Sequence, residues 1–331
     1  MYHFKRNNFD LEVSGLKKII SIISILVLAT ALVGCGKDEK KVSKDQKLKV
    51  HTTVFAFKSF TDQIGGKYVD TQSIYPAGAD IHSYEPTQKK MINIAKGDLF
   101  IYSNDDMDPV GKKISKSINE KDNKLALADQ VSKKDLLASD EDEHEHEHEH
   151  GHHHAHSEND PHVWLDPVLD QKFAKEIKDQ LVKKDPKHKS YYEKNYKKLN
   201  KDLADSDKKM KKVTENKKRD QVIISHDSLG YLADRYHFKQ KGVNGMNDEE
   251  PSQKEVMNIV KEIKSSHQPY VMYEQNIPSK VTDVIKKETN TKPIEFHNLS
   301  VLTKDEENKK DISYQSIMKE NIKSLDKALN Q

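Results

Sequence analysis

Short apolar segments alternate with helical periodicities in two separate parts of this 331-residue chain. In the first part, four segments are predicted as strands: 48–54, 68–75, 98–102 and 124–128. Helical patterns accompany them at 57–64, 87–95 and 109–118. Alternation of strand and helix favours parallel strands with helical crossovers, so this part is predicted to form one α/β lobe.

The same alternation returns near residue 220 and continues to the C-terminus. Strands are predicted at 221–225, 238–243, 270–273 and 293–299. Helices are predicted at 228–236, 252–266, 278–288 and 313–329. This part is therefore predicted to form a second parallel-sheet lobe.

A long helical stretch separates the two parts. Val168 or Leu169 begins a pattern that Phe173, Ile177 and Leu181 continue every four residues, before Pro186 interrupts it. Helical spacing then resumes through Tyr192, Tyr196, Leu199, Leu203, Met210 and Val213. A helix with one apolar stripe has to pack along something large, so we expect it to connect and brace the two lobes. The predicted fold class is α/β, two parallel-sheet lobes joined by a long connecting helix.

The N-terminus has the pattern of a secretory signal that ends at a lipid-modified cysteine. Basic residues precede an uncharged run at 19–33, which is too short to span a bilayer comfortably. The run ends in Leu-Val-Gly-Cys, and Cys35 is the only cysteine, which excludes an internal disulfide. We predict cleavage before Cys35 and attachment of diacylglycerol to its thiol. A Lys-, Asp- and Ser-rich tether to the folded part follows.

The charge balance excludes a strongly basic nucleic-acid binder. The segment 1–34 holds four of the 56 Lys and Arg and two of the 54 Asp and Glu. Cleavage before Cys35 therefore leaves 52 residues of each sign.

A tract dense in histidine and acid follows the first lobe. Eight of the 17 histidines lie in it: His144, His146, His148, His150, His152, His153, His154 and His156. Imidazole binds zinc, copper and nickel at neutral pH, so the tract is predicted to be an auxiliary metal-binding loop. Its lack of apolar residues excludes a core role. Weak binding in the loop would raise the local metal concentration, and the competing interpretations are a dispensable buffer and an acid sensor.

Three other histidines lie just after predicted strands or between the lobes. His82 follows the second strand, His162 lies in the segment Asp160-Pro-His-Val-Trp-Leu-Asp-Pro167, and His226 follows Val-Ile-Ile-Ser. Ligands of open α/β sheets sit at the carboxyl ends of strands. Three imidazoles occupy three tetrahedral positions of zinc and leave one position open.

The segments 74–86, 160–167 and 225–236 together resemble the zinc-type solute-binding lipoproteins of ABC importers, the AdcA/ZnuA group. The resemblance covers nearly all of the chain beyond the predicted cleavage site. It implies two α/β lobes joined by a long, rigid helix, with metal in the cleft between them. It also implies that His82, His162 and His226 are the metal ligands.

The fourth ligand departs from the pattern of that family. Relatives supply a carboxylate after the last strand of the second lobe, where this chain has Ser300. Ser300, Glu274, His297 or water therefore remain candidates, and our hypothesis is a three-histidine site completed by water. Imidazole ligands without a carboxylate favour zinc over manganese.

Functions besides metal capture also fit parts of the sequence. Three histidines and a water on zinc make a hydrolytic site, for which Asp227 and Glu274 are candidate bases. Neither lies in a recognised catalytic motif, so we expect no enzyme activity. A manganese-binding paralogue, a metal-dependent adhesin and a metal store are the remaining competing hypotheses.

The prediction is thus a lipid-anchored component, on the outer face of a Gram-positive-like membrane, that captures Zn²⁺. It would deliver the ion, as a monomer, to an ABC permease driven by a cytoplasmic ATPase. The predicted organisation is a signal peptide at 1–34, a tether at 35–47, a first lobe at 48–139, a His/acid-rich mobile loop at 140–160, a cleft segment and connecting helix at 161–219, and a second lobe at 220–331.

Overall fold

The computed structural model describes residues 47–139, 158–276 and 280–331. The predicted signal peptide, Cys35 and the eight histidines between 144 and 156 lie outside the described residues. The described residues form two α/β lobes and a pair of long helices. The predicted fold class is confirmed.

The first lobe contains a four-stranded parallel sheet in the order β2-β1-β3-β4. Its elements are β1 Leu48–Thr52, α1 Phe55–Gly65, β2 Val69–Ser73, α2 Gln88–Ala95, β3 Leu99–Tyr102, α3 Pro109–Ser115 and β4 Lys124–Ala126. Strand β3 reads Leu-Phe-Ile-Tyr and is buried throughout, as expected for a parallel strand covered on both faces. Helix α3 begins after Asp108, whose side chain accepts a hydrogen bond from the Gly111 N–H at 2.6 Å.

The second lobe repeats this strand order as β6-β5-β7-β8. Its elements are β5 Gln221–His226, α6 Gly230–Tyr236, β6 Lys239–Asn244, α7 Gln253–Ser266, β7 Tyr270–Glu274, α8 Lys280–Thr289, β8 Lys292–Phe296, α9 Lys304–Glu307 and α10 Tyr314–Asn330. Pro293 lies in β8, which is an edge strand and therefore tolerates the missing N–H.

Two helices fill the predicted helical stretch, α4 Pro167–Lys184 and α5 Lys189–Glu215. They pack against each other across a short 3₁₀ turn that contains Pro186. The predicted stripe of α4 is fully buried, and Tyr192, Leu199, Leu203 and Met210 of α5 are buried with it. At 27 residues, α5 is about 40 Å long, and it contacts α1 of the first lobe and α10 of the second.

Main-chain hydrogen bonds join the lobes at the start of α1. The N–H groups of Phe55 and Ala56 donate to the carbonyls of Ser300 at 2.7 Å and Leu299 at 3.1 Å. The first N–H groups of a helix have no partner within the helix, so the second lobe satisfies donors that would otherwise need water. Main-chain hydrogen bonds as well as apolar packing therefore hold the lobes together.

The main differences from the sequence prediction are the ends of two elements and one additional short helix. The strand predicted at 293–299 ends at Phe296, because Leu299 adopts a left-handed conformation with φ 59°. The helix predicted at 109–118 ends at Ser115. Helix α9 was not predicted, although Thr303 and Glu306 have the spacing of a capping box and form one in the structure.

Candidate metal centre

The three histidines singled out in the sequence converge between the lobes. His82 lies in the loop after β2, His162 directly precedes a 3₁₀ turn at Val163–Leu165, and His226 is the last residue of β5. One ligand nitrogen from each ring lies within 4.8 Å of the other two. Within the described ranges, no other group of three or more His, Cys, Asp or Glu side chains is close enough to share a metal ion.

His226 is held at the carboxyl edge of the second sheet by Glu274, the last residue of the adjacent strand β7. Its Nδ1 lies 2.9 Å from Glu274 Oε2, and its Nε2 lies 2.8 Å from the Met246 carbonyl oxygen. Burial disfavours charge on the ring, but the Glu274 carboxylate outweighs it and raises the pKa of His226 to about 9. The same pairing lowers the pKa of Glu274 against the effect of burial.

His162 is fixed by a neighbouring carboxylate in its own segment. Asp160 Oδ1 accepts hydrogen bonds from the His162 main-chain N–H at 2.9 Å and from ring Nδ1 at 2.8 Å. This contact assigns the proton to Nδ1 and leaves Nε2 as the free lone pair. Nε2 is buried and has no hydrogen-bond partner among the described residues. A buried acceptor without a donor is what a metal site presents in the absence of the ion's own contacts.

His82 is held more loosely than the other two histidines. It is half-buried, and its main-chain N–H donates to Asp80 Oδ1 at 2.9 Å. The part of the chain that the structure describes provides no hydrogen bond to its ring. Burial, together with the nearby His226 and His162, lowers the pKa of His82 to about 3, so the ring is neutral at neutral pH.

The candidates for the fourth ligand are engaged in other contacts. Glu274 accepts hydrogen bonds from His226, Ser228 and Asn298, which occupies both of its oxygens. Ser300 Oγ donates to Asn298 Oδ1 at 2.6 Å. His297 Nδ1 accepts from the Leu299 N–H at 2.9 Å.

The second ring nitrogen of His297, Nε2, lies 3.2 Å from Glu306 Oε2. Neither Glu274 nor His297 belongs to the group of ligand atoms within 4.8 Å of one another. Ser300 lacks a ligand atom that zinc favours at neutral pH.

Three residues near the histidines had no role in the sequence prediction. Asp160 orients His162, the Met246 carbonyl contacts His226, and Asn298 contacts Glu274. Asp160 was detectable, because an aspartate two residues before a histidine forms a local side-chain-to-backbone turn. Met246 and Asn298 are 20 and 72 residues from His226 in sequence, so no local pattern links them to it.

The site has the composition of a borderline-metal centre. Three imidazoles converge, and two of them bond to carboxylates, which fix ring orientation and increase ligand basicity. Imidazole suits zinc, copper and nickel better than hard ions that prefer oxygen. The arrangement is thus chemically able to coordinate a divalent ion with one position left for a further ligand.

Comparison with known proteins identifies the family of the chain. Residues 50–328 match the family described as zinc-uptake complex component A, periplasmic. The high-affinity zinc uptake system protein ZnuA of Bacillus subtilis is 35% identical over 95% of this chain and 98% of its own length. The zinc-binding lipoprotein AdcA of Streptococcus pneumoniae is 30% identical over 95% of this chain, which spans 62% of AdcA. The manganese ABC transporter substrate-binding lipoprotein PsaA of Streptococcus pneumoniae is 28% identical over 96% of this chain and 100% of its own.

Solved structures agree with this relationship. The Zn(II)-bound ZnuA-like domain of AdcA from Streptococcus pneumoniae has a TM-score of 0.70 and 25% identity, covering 86% of this chain and 100% of that domain. The laminin-binding protein Lmb of Streptococcus agalactiae shares the fold, with a TM-score of 0.72, 23% identity and the same coverage. With a family match over residues 50–328 and the three histidines converging in the cleft, the chain belongs to the zinc-uptake complex component A family.

Proposed function

We propose that this chain captures zinc outside the cell and delivers it to the permease of an ABC importer, which a cytoplasmic ATPase drives. The chain is a metal-binding component of an ABC transporter and not an enzyme, as its family indicates. The observation that carries the zinc assignment is the convergence of His82, His162 and His226, with one ligand nitrogen of each within 4.8 Å of the others.

The proposed ligands are these three histidines and a water molecule. The buried Nε2 of His162 supports this assignment, because it has no donor within the described part of the chain. Two observations support water as the fourth ligand: Glu274 does not belong to the group of ligand atoms within 4.8 Å of one another, and the Ser300 hydroxyl is a ligand that zinc does not favour at neutral pH. X-ray absorption at the zinc edge tests the assignment. A protein oxygen at about 2.0–2.2 Å in place of water would contradict it.

Zinc rather than manganese is the proposed cargo. Relatives of both kinds exist, since ZnuA and AdcA are named for zinc and PsaA for manganese. Manganese favours oxygen ligands, whereas this cluster offers three imidazole nitrogens. Competition calorimetry on the full chain in detergent should give a much higher affinity for zinc than for manganese. Comparable affinities would favour the manganese-binding hypothesis.

Substitution of the histidines is the central test. The full chain should bind zinc at one tight site, and the triple variant His82→Ala, His162→Ala, His226→Ala should lose it. His267→Asn is the matched control, because His267 is exposed at the C-terminal end of α7 and asparagine tolerates its left-handed backbone. Retained tight binding in the triple variant would contradict the proposal and favour a metal store that uses the tract alone.

We also propose that Cys35 carries the lipid that anchors the chain. Relatives named AdcA and PsaA are called lipoproteins. Of the helices in the described ranges, none is both long and apolar enough to cross a membrane. Mass spectrometry of the protein from membranes should find diacylglycerol on Cys35, and Cys35→Ala should release the protein. The released Cys35→Ala protein should be a monomer by size-exclusion chromatography.

The His/acid tract is proposed to collect metal near the cleft. Its flanks meet, since Ala138 and Asn159 form an antiparallel bridge and the Ser139 N–H donates to the Glu158 carbonyl at 3.1 Å. The last histidine of the tract, His156, is six residues from His162, at most about 20 Å of extended chain.

Deletion of residues 143–156 should reduce uptake at scarce zinc but leave cleft affinity unchanged. A Gly/Ser segment of equal length is the control for chain connectivity. Unchanged uptake in both variants would refute the collecting role.

A further inference from the structure

We propose that Asn298 is a positioning residue of the metal centre, which holds Glu274 against His226 and Trp164 against His162. The inference rests on the proposed metal-binding function of the cleft. Asn298 follows β8 and is 4% exposed. Two of its hydrogen bonds, those with Glu274 and Trp164, go to neighbours of the His226 and His162 rings, so its effect on metal would pass through those neighbours.

The side-chain amide of Asn298 contacts the carboxylate that orients His226. Its Nδ2 donates to Glu274 Oε2 at 3.1 Å, and the same oxygen accepts from His226 Nδ1 at 2.9 Å. Two donors on one carboxylate oxygen fix its position more narrowly than one donor does. The ring of His226 thereby has a fixed partner at Nδ1, and its Nε2, which lies 2.8 Å from the Met246 carbonyl oxygen, would exchange that contact for the metal on binding.

The orientation of this amide is itself determined by its other contacts. Asn298 Oδ1 accepts from Gln275 Nε2 at 2.9 Å and from the Ser300 main-chain N–H at 3.1 Å. Ser300 Oγ also donates to this atom at 2.6 Å. All three partners are donors, so the oxygen must face them and the NH₂ must face Glu274.

The main chain of Asn298 contacts the second ligand histidine indirectly. Its carbonyl oxygen accepts from Trp164 Nε1 at 2.7 Å. The indole of Trp164 lies 5.5 Å from the His162 ring, centroid to centroid, at an interplanar angle of 64°. One residue therefore supports a histidine of the second lobe and a histidine of the segment between the lobes.

An amide suits this position better than a carboxylate. Aspartate would place a second acceptor 3.1 Å from a Glu274 oxygen that already carries negative charge. The hydroxyl of Ser300 is bonded to the Asn298 amide oxygen. The pair Asn298 and Ser300 thus supports Glu274 instead of contributing a ligand.

The test measures zinc affinity of the full chain in a double-mutant cycle. Glu274→Gln should lower affinity about 10- to 100-fold, the usual effect of losing a hydrogen-bond partner of a ligand, and Asn298→Ala should lower it by a smaller factor, because it contacts that partner and not the ligand. The double variant should be clearly less impaired than the product of the two losses, because both substitutions act through the same contact. Asn298→Asp keeps the acceptor for Ser300 and removes the donor to Glu274, so it should also weaken binding.

Asn104→Ala is the matched control. Asn104 is 8% exposed and accepts from the Asp106 and Met107 N–H groups in the first lobe. This variant should bind zinc as the unsubstituted chain does. The double variant with Glu274→Gln should show the product of the two single effects on zinc affinity.

Trp164 provides a spectroscopic readout, since it is the only tryptophan of the chain. Asn298→Ala keeps the main-chain carbonyl that accepts from Trp164 Nε1, so emission without zinc should match that of the unsubstituted chain and the response to zinc should require a higher zinc concentration, whereas Asn104→Ala should change neither. Wild-type affinity in the folded Asn298 variants, or multiplicative losses with Glu274→Gln, would overturn the inference. Failure of the unsubstituted chain to bind zinc would instead overturn the proposed function.

Discussion

The two lobes have the same strand order, yet they support the metal centre in different ways. The second lobe provides His226 from the end of a strand, with Glu274 bonded to its ring. The first lobe provides His82 from a loop, and its nearby aspartate bonds to the main chain and not to the ring. A shared topology therefore does not dictate equal rigidity, which depends on whether a buried partner holds the side chain.

This difference indicates that the three histidines contribute to metal binding in different ways. His162 and His226 are buried and oriented by carboxylates before any ion arrives. His82 is half-buried, and only its main chain is bonded to the nearby aspartate. Fixed ring positions give affinity at low entropic cost, although His226 must release a proton and its contact with the Met246 carbonyl on binding, and a looser third ligand allows entry and release.

The largest expected effect is the loss of a ligand histidine. His226→Ala should lower zinc affinity by more than about 100-fold, since removing only the outer partner of a ligand costs about 10- to 100-fold. His82→Ala should cost less, because a water molecule can take its place at the exposed side of the site. Competition with a chelator measures both. Equal losses of zinc affinity in the two variants would contradict the expected difference between the lobes.

The next effect concerns the carboxylates beside the ligands. Glu274→Gln should reduce zinc affinity about 10- to 100-fold, because it weakens the acceptor for His226 Nδ1. Asp80→Asn is the first-lobe counterpart, as Asp80 accepts from the His82 N–H and from Ser83 Oγ at 2.7 Å. It should change affinity by less than about 10-fold, since no bond to the ring is lost. A larger loss for Asp80→Asn would mean that the loop is the more critical support.

Zinc should also order the two lobes unequally. At 100 times its dissociation constant, zinc should add about 2.7 kcal/mol to the free energy of unfolding. Hydrogen exchange should slow most at 78–83 around His82, and least at 222–226, where β5 is already paired on both sides. A uniform gain in protection would indicate that zinc orders both lobes to the same extent.

The smallest expected effects are opposite responses of the lobes to acid. In the first lobe, burial raises the pKa of Asp108 from 3.8 to about 6, so the native state takes up a proton before the unfolded chain does. Relative to Asp108→Asn, the unsubstituted protein should therefore gain about 1–3 kcal/mol as pH falls from 6 to 3.8. Denaturation at a series of pH values measures this difference, and a flat difference would contradict the raised pKa.

In the second lobe, the hydrogen bond from His297 lowers the pKa of Glu306 from 4.5 to about 2 despite partial burial. The ionised carboxylate therefore stabilises the protein above pH 4.5, and this contribution is lost as pH falls towards 2. Against Glu306→Gln, the advantage should be about 1–2 kcal/mol near neutral pH and should shrink in acid. An advantage independent of pH would show that the carboxylate contributes only through its capping of α9.

Much of the fold follows from local patterns in the sequence. Burial of Leu169, Phe173, Ile177 and Leu181 agrees with their four-residue spacing, and the strands begin within a residue or two of the predicted positions. Strand ends were less predictable. The end of β8 depends on the left-handed conformation of Leu299 and on contacts of the following segment with α1, which lies far away in sequence.

The candidate site was predictable only in part. The residue type and the position after a strand pointed to His82 and His226, and the motif around Asp160 pointed to His162. The role of Asn298 was not predictable from the sequence. Its amide nitrogen contacts Glu274 and its amide oxygen contacts Ser300, and only distances in the folded structure show which atom faces which residue. Candidate fourth ligands could be named from the sequence, but their engagement in other hydrogen bonds could not.

The sequence by itself determined the two-lobe α/β plan and the three imidazoles available to a metal. It could do so because hydrophobic periodicity and ligand chemistry are properties of single segments. Only the tertiary structure decided that Glu274 meets His226, that Asn298 meets Glu274, and that the ring of His82 has no such partner among the described residues. The two contacts that form join segments far apart in the chain, and the parallel pairing of β5 with β7 and of β7 with β8 brings them within hydrogen-bond distance.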